Sequence, residues 1–469
     1  MAAIFEEAER ARGNGCARAA DARSINFIRR IVFRYAFRFA FRFALPFRFA
    51  LRQAFRRSPE PLPLTLPPEP PTMNGVNSQF GGLVGDLAPA RASPASDIKV
   101  WSFQLSRGLD GLNALRADWQ AWLDELPGST YLQSPAWIRS YLTTLAEQPD
   151  DVHFIAARRA GRLEGVFVLE ETSHRLAGLT LRAGRLITGD HMHLSDVAIA
   201  GHADALWTAF NAWFKAQRHL RWPLIMARGV SADASLARLL SSGKVRSRTI
   251  TRPHSPTLWL DCGQDSAHAL RTVSRSHTTN VKRLLRRARE QGPLSYEVVT
   301  DPAQLDAALQ AFFEVEGSGW KVAEGSAIRL HDALVAFYRG LSLEFGPQGR
   351  CRVNLLRLNG HVIAAQFGLV SNRQLNLLKI GYAPIHAALA PGHLIMQHTI
   401  ESVCADPALN RLSFVTNPPW AQLWKPEATA VDCHMMFRDS MLGRSMHRAL
   451  RAGMSLRLRL GKQALASKA

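Results

Sequence analysis

The amino-acid sequence predicts an α/β protein: two tandem domains with mixed, mainly antiparallel sheets flanked by helices, behind a low-complexity N-terminal tail. Three observations predict it. The order helix, helix, three-strand meander, helix, strand, strand occurs twice between residues 98 and 438. The 469 residues are 47% hydrophobic and 20% charged. That is enough apolar material for two cores, and it excludes a mostly disordered or collagen-like chain. Asn359-Gly360 lies between two apolar runs and is a strong hairpin signal, because both turn positions tolerate positive φ.

The first half begins near Ile98. Leu112, Leu115, Trp119 and Leu123 fall at helical spacing, which predicts a helix over 108–126. Ser134 and Pro135 suit the N-cap and first position of a second helix over 134–146. Strands follow at 152–158, 163–170 and 178–188, the first two separated by a turn at Ala160-Gly161. A helix is expected at 202–217, a strand at 223–228, a helix at 231–241, and strands near 246–251 and 257–261. In the second half Asp301-Pro302 opens a helix over 302–316, and another spans 331–345. Strands 351–358, 361–370 and 374–382 form the meander, with a second tight turn at Ser371-Asn372. Helix 392–405 and strands 411–416 and 430–437 complete the repeat. The expected domains are a tail over 1–97, a first domain over 98–264, a basic connecting helix over 265–291, a second domain over 292–438 and a basic tail over 439–469.

The chain carries 58 Lys and Arg against 38 Asp and Glu, a net charge of +20. Such a surplus invites a nucleic-acid reading, but its placement argues otherwise. Residues 1–58 hold 13 Arg against four acids, 271–290 hold seven basic residues against Glu290, and 439–469 hold seven against Asp439. The rest of the chain is close to neutral. DNA is therefore not an expected partner. In the first tail Arg34, Arg38 and Arg42 recur every four residues among Phe, as do Arg48, Arg52 and Arg56. If helical, this stretch and the Arg/Leu-rich C-terminal run could lie on an anionic membrane surface. It is too charged to span one. The alternative is low-complexity sequence ahead of a start at Met73. Five scattered cysteines, with no C-x-x-C pair, indicate neither a disulfide framework nor a zinc module. The expected setting is cytoplasmic, with peripheral contact at the inner membrane face.

Four short stretches, in order, carry a resemblance. They are Ser134-Pro135-Ala136-Trp137; the basic run 274–291; Glu316 to Lys321 (EGSGWK) followed by Gly325; and Lys379-Ile380-Gly381-Tyr382 with Pro391-Gly392 downstream. With the repeated element order, they resemble the GCN-five-related acetyltransferase (GNAT) superfamily, specifically its tandem CelD-like branch related to the FemAB aminoacyltransferases. The likeness spans about residues 98–438. It implies a gap between diverging strands that holds acyl-CoA. It departs in two places. Of the superfamily's phosphate loop only Ala390-Pro391-Gly392-His393 remains. After strand 411–416 an acidic, Gly-rich turn is replaced by Asn417-Pro418-Pro419-Trp420.

From the residues themselves, Pro391-Gly392 opens a helix directly after a strand, where free N–H groups and the helix dipole attract a pyrophosphate. His393 adds a contact, and Lys379 and Gln366 on adjacent strands are placed with the cofactor. The resemblance implies that Tyr382 protonates the departing CoA thiolate and that Glu316 deprotonates the acceptor amine. Trp320 and Lys321 then shape the acceptor pocket. The expected reaction transfers an acyl group, acetyl above others, from acetyl-CoA to an amine of a small molecule, sugar or cell-envelope precursor. Two alternatives stand: a Fem-type aminoacyltransferase using aminoacyl-tRNA, and a non-catalytic scaffold in polysaccharide biosynthesis. Asp190-His191-Met192-His193 with Asp196 has the look of a metal cluster but lacks a third strong ligand, so no metal is expected. No G-x-S-x-G elbow supports a serine triad.

Overall fold

The computed structural model describes residues 101–176, 179–241 and 248–466. The expectations for the N-terminal tail lie outside the described residues.

Strand β1 (Trp101–Arg107) leads into helices α1 (Gly108–Glu125) and α2 (Pro135–Thr144), the latter capped by the Ser134 side chain accepting from the Trp137 N–H. Strands β2 (Val152–Arg159), β3 (Arg162–Leu176) and β4 (Leu179–Leu186) form the first meander. Then come β5 (Ala198–Ile199), α3 (Ala203–Ala216), β6 (Leu224–Ser231), α4 (Ser235–Ser241) and β7 (Thr249–Pro253). The second half comprises β8 (Thr257–Asp261), a short helix α5 (Ser266–Ala269), α6 (Arg275–Glu290), β9 (Leu294–Val299), α7 (Pro302–Glu316), α8 (Trp320–Ala323) and α9 (Asp332–Phe345). Its meander is β10 (Cys351–Leu358), β11 (His361–Ser371) and β12 (Gln374–Tyr382). After α10 (Pro391–Ala405), β13 (Arg411–Ser413), β14 (Glu427–Thr429) and β15 (Val431–Phe437), helix α11 (Met441–Ala466) ends the described chain. The hairpin signal holds in detail: Asn359 and Gly360 both take positive φ.

The chain makes two sheets. The first runs β1-β2-β3-β4-β6-β15-β7, with β5 beside β3; the second runs β14-β8-β13-β12-β11-β10-β9. In both, the third meander strand meets its next neighbour in parallel and only briefly. β4 pairs β6 at Gly184 and Arg185, and β12 pairs β13 at Gln374 to Asn376.

Two strands sit in the sheet opposite to the one expected. β8 was expected to close the first domain and β15 the second; each joins the other sheet. Burial explains the exchange. On β8, Leu258 and Leu260 pack with Val281, Leu394 and Leu412 of the second half. Trp259 lies under the Arg411 guanidinium, 3.7 Å from its ring centroid, and its indole N–H donates to Thr429. On β15, Met436 joins the first-half core and Phe437 packs with Ile250. The stretch 265–291 is likewise no free linker. Helix α6 buries His277, Val281, Leu284 and Ala288 and keeps Lys282, Arg283, Arg286, Arg287 and Arg289 exposed. The expected C-terminal tail starts as a helix whose Met446 and Leu450 pack beside Phe437.

Helices α1 and α2 of the first half and α7 and α9 of the second lie between the sheets in one continuous core. Trp137 meets Phe337 edge-on at 5.5 Å, and Glu344 accepts from Arg116 and Arg139 across the interface. Strand alternation sorts the faces. Phe154, Ala156, Val166 and Val168 face this shared core, while Ile155, Ala157, Phe167 and Leu169 face α3 and α4. Among the described residues, no helix is long and apolar enough to cross a membrane.

Candidate active site

Beyond Asn376, strand β12 has no neighbour on its β13 side. Two irregularities hold the strands apart. β12 bulges between Leu377 and Lys379, which raises local twist and bends the strand. After Ser413 the chain leaves the ladder at Val415, which takes φ +60. A buried β-branched residue in that region is strained, by an amount of order 1–3 kcal/mol. This shortens the strand expected over 411–416 to three residues. The divergence opens a cavity of about 590 Å³.

One wall is strand β12 over residues 377–382. The opposite wall is Phe414, Thr416, Pro418 and Trp420; Phe414 and Trp420 meet edge-on at 5.5 Å. The Asn417-Pro418-Pro419-Trp420 stretch, where the sequence departs from the acidic turn of the family it resembles, thus supplies apolar surface. At one end stand Pro391, Gly392 and His393 at the N-terminus of α10. Ala390, at φ +47, turns the chain from the strand region into that helix. A Cβ placed on Gly392 would point into open space, with Tyr382 the nearest group at 3.9 Å. The buried Nδ1 of His393 has no hydrogen-bond partner, and its ring packs near His277 and Trp424. Burial and the neighbouring His277 lower the His393 pKa.

At the other end Glu316, Lys321, Lys379 and His193 meet. Glu316 is buried at the last turn of α7 and both its oxygens are engaged. Oε1 accepts from Lys321 Nζ at 2.7 Å and Oε2 from the Ile328 N–H at 3.0 Å. Lys321 also donates to the Ile380 carbonyl at 3.1 Å. Gly381 allows this packing, since a Cβ there would lie 2.6 Å from the Glu316 Cα. Lys379 has no hydrogen bond or ion pair among the described residues. Burial, then the Lys321 charge, lowers its pKa. Tyr382 is exposed at the cavity mouth.

The structure therefore brings together Glu316, Lys321, Lys379 and Tyr382 with Pro391, Gly392 and His393. Gln366 is elsewhere. It is buried on the α10 side of the sheet, where its carbonyl oxygen accepts from Asn354 (2.9 Å) and Thr399 (2.7 Å). Strand alternation turns it away from the cavity. Trp320 opens helix α8, and its side chain lies outside the described residues. Asp196 is also not a ligand. It accepts from the Ser235 and Leu236 N–H groups at the start of α4. Among the described residues, no group of three or more His, Cys, Asp or Glu is placed to hold a metal ion. His193 and the Phe414–Trp420 wall were not anticipated, since nothing local in sequence ties either to β12.

Residues 275–422 match the family model described as an acetyltransferase (GNAT) domain. That match lies within the second half of the chain. The first half repeats the same order of elements and the same briefly paired parallel strands. No curated protein matches this chain. Similar solved structures include FemX (11% identity, TM-score 0.48, covering 68% of this chain and 95% of that one). L-PGS from Bacillus licheniformis is another (10%, 0.43, covering 71% and 96%). So is a tandem GNAT protein from the clavulanic acid biosynthesis pathway (12%, 0.40, covering 72% and 99%).

Proposed function

We propose that this protein is a tandem GNAT-type, acyl-CoA-dependent N-acyltransferase, with acetyl-CoA as donor and an amine of a small molecule, sugar or cell-envelope precursor as acceptor. The observation that carries the reading is the cavity between the diverging strands. It runs from the bare Cα of Gly392 to a cluster of titratable side chains. The residues present fit acyl-CoA in three ways: the cradle at Gly392, the unpartnered His393 Nδ1, and a β12 edge that has no neighbouring strand beyond Asn376 among the described residues.

Acetyl-CoA, when bound, supplies a thioester open to attack by an amine. The chain's own residues do the rest. The Gly392 N–H and the α10 dipole attract phosphate oxygens. The apolar Phe414–Trp420 wall excludes water, and unpaired β12 backbone groups hold an amide-bearing arm in extended conformation. Tyr382, at the cavity mouth, donates a proton to the departing sulfur. Glu316 is committed to Lys321 and the Ile328 N–H, so it positions the acceptor end of the cavity rather than acting as a free base. One observation favours a second donor class. The exposed basic face of α6 suits the phosphates of an aminoacyl-tRNA.

A thermal-shift titration tests the reading. Acetyl-CoA at 100 times its Kd is expected to stabilise the fold by about 2.7 kcal/mol, seen as a raised Tm. No shift at saturating acetyl-CoA in a folded protein would remove the CoA assignment. Binding of aminoacyl-tRNA with a steep salt dependence would then move the donor to the Fem-type class.

A further inference from the structure

Strands β4 and β5 share one lane beside β3, yet the chain leaves that lane between them. Residues 187–197 make an excursion, and every part of it is pinned. It opens on a tight turn in which Gly189 and Met192 exchange backbone hydrogen bonds of 3.1 and 3.0 Å. It closes on Asp196, which accepts from the Val197, Ser235 and Leu236 N–H groups and from Gln133 Nε2. Between them the Ser195 N–H donates to the Gly229 carbonyl at 3.0 Å, and Ser195 Oγ donates to the Arg228 carbonyl at 2.7 Å. Gly229, at φ +72, lies so close to the His193 carbonyl that no side chain fits. His191 Nδ1 is hydrogen-bonded to the Tyr338 hydroxyl of α9 at 2.9 Å. The excursion is thus fixed to both halves, and its tip carries His193 into the cavity of the second half.

The His193 imidazole has no hydrogen bond or ion pair among the described residues. The groups facing it are Lys379 on β12, Asp190 on its own loop, Arg228 on β6 and His254 after β7. Lys321, paired with Glu316, also borders the cavity. Burial, then Lys379, lowers the His193 pKa from its ordinary value near 6.5. Both effects favour the neutral ring, which carries one lone pair able to take a proton, and the ring borders the cavity. Glu316, by contrast, is held in place by one hydrogen bond to each oxygen, from Lys321 and from the Ile328 N–H.

We propose that His193, supplied by the first half, is the base that takes the proton of the acceptor amine in the cavity of the second half. The inference rests on the acyltransferase reading above. His193 accepts the proton that the acceptor nitrogen sheds as its new C–N bond forms and the thioester C–S bond breaks. Tyr382 supplies the proton taken up by the departing sulfur, and solvent returns the enzyme to its starting state by moving one proton from His193 to Tyr382. The first half is on this account part of the active site and not an inert copy.

Two measurements test it. Modification with diethyl pyrocarbonate, mapped by mass spectrometry, reads the imidazole without any acceptor. His193 is expected to react alongside exposed His202 and His361, while His191, tied to Tyr338, is spared. His193 left unmodified while those two react would overturn the proposal. The second measurement follows CoA release from acetyl-CoA with glucosamine as the probe amine, in the unaltered protein and in His193→Gln. The variant is expected to keep its acetyl-CoA affinity and Tm, to lose about 100-fold in kcat, and to lose the acid-side fall in kcat, which the lowered His193 pKa puts below pH 6.5. Acetyl-CoA binding with an unchanged rate and acid limb in the variant would overturn His193 as base and leave the acyltransferase reading intact. Absence of acetyl-CoA binding in the unaltered protein would overturn both.

Discussion

Tyr382 and Glu316 occupy opposite situations in the same cavity. Tyr382 ends its strand at an exposed mouth with its hydroxyl unpartnered, so nothing in the fold depends on that oxygen. Replacing it by Phe should leave Tm and acetyl-CoA affinity unchanged while lowering kcat by about 100-fold, read by steady-state CoA release. An unchanged kcat would pass the proton to another group. Glu316 is buried with both oxygens bonded. Sequence placed both residues at the gap, because the words around them sit at the end of an apolar helix and of a strand. It could not show that a lysine five residues on would occupy Glu316, since that depends on how α8 folds back. Gln366 shows the same limit from the other side. One step of strand alternation moves it from the cavity to the α10 face, and a bulge at Ile363, between Val362 and Ala364, changes the count along that strand.

Elements were the most legible level. Most helices and meander strands fall within a few residues of where periodicity and turn chemistry put them, because those signals are local. The misses are where an element ends for a non-local reason. Strand 411–416 stops at residue 413 because Val415 turns away to form the cavity wall. The first-half meander is broken by the 187–197 excursion, whose pinning groups at Gln133, Gly229 and Ser235 are distant in sequence. The contact of α7 with β12 has its own requirement at Gly381. Alanine there would put a methyl 2.6 Å from the Glu316 Cα. Since the obstacle is backbone, the helix must move, and Gly381→Ala is expected to cost about 2 kcal/mol in denaturant unfolding. It should also raise the KM for acetyl-CoA by displacing the cavity floor. A variant with unaltered stability would mean that α7 and β12 are less tightly packed than described.

For the whole molecule, the repeat of two similar halves was legible and the exchange of β8 and β15 was not. Hydrophobic pattern marks a strand but does not name its neighbour. In the first sheet, β15 stands between β6 and β7, and β7 has no other partner. A fragment of residues 98–264 therefore lacks the strand that joins β6 to β7. It is expected to show no cooperative unfolding transition, whereas the chain from residue 98 to 469 unfolds as one body. A fragment that melts cooperatively would show that the first sheet closes without β15. The same exchange has a consequence for biosynthesis. Ser231 emerges from the ribosome long before its partner Val431. Through that interval the sheet begun first keeps an open edge at β6, the kind of edge that invites wrong pairing. The nascent chain is therefore most exposed to chaperones and to misassembly while its second half is being made. A premature stop late in the gene would disable the early-made half as surely as the late one.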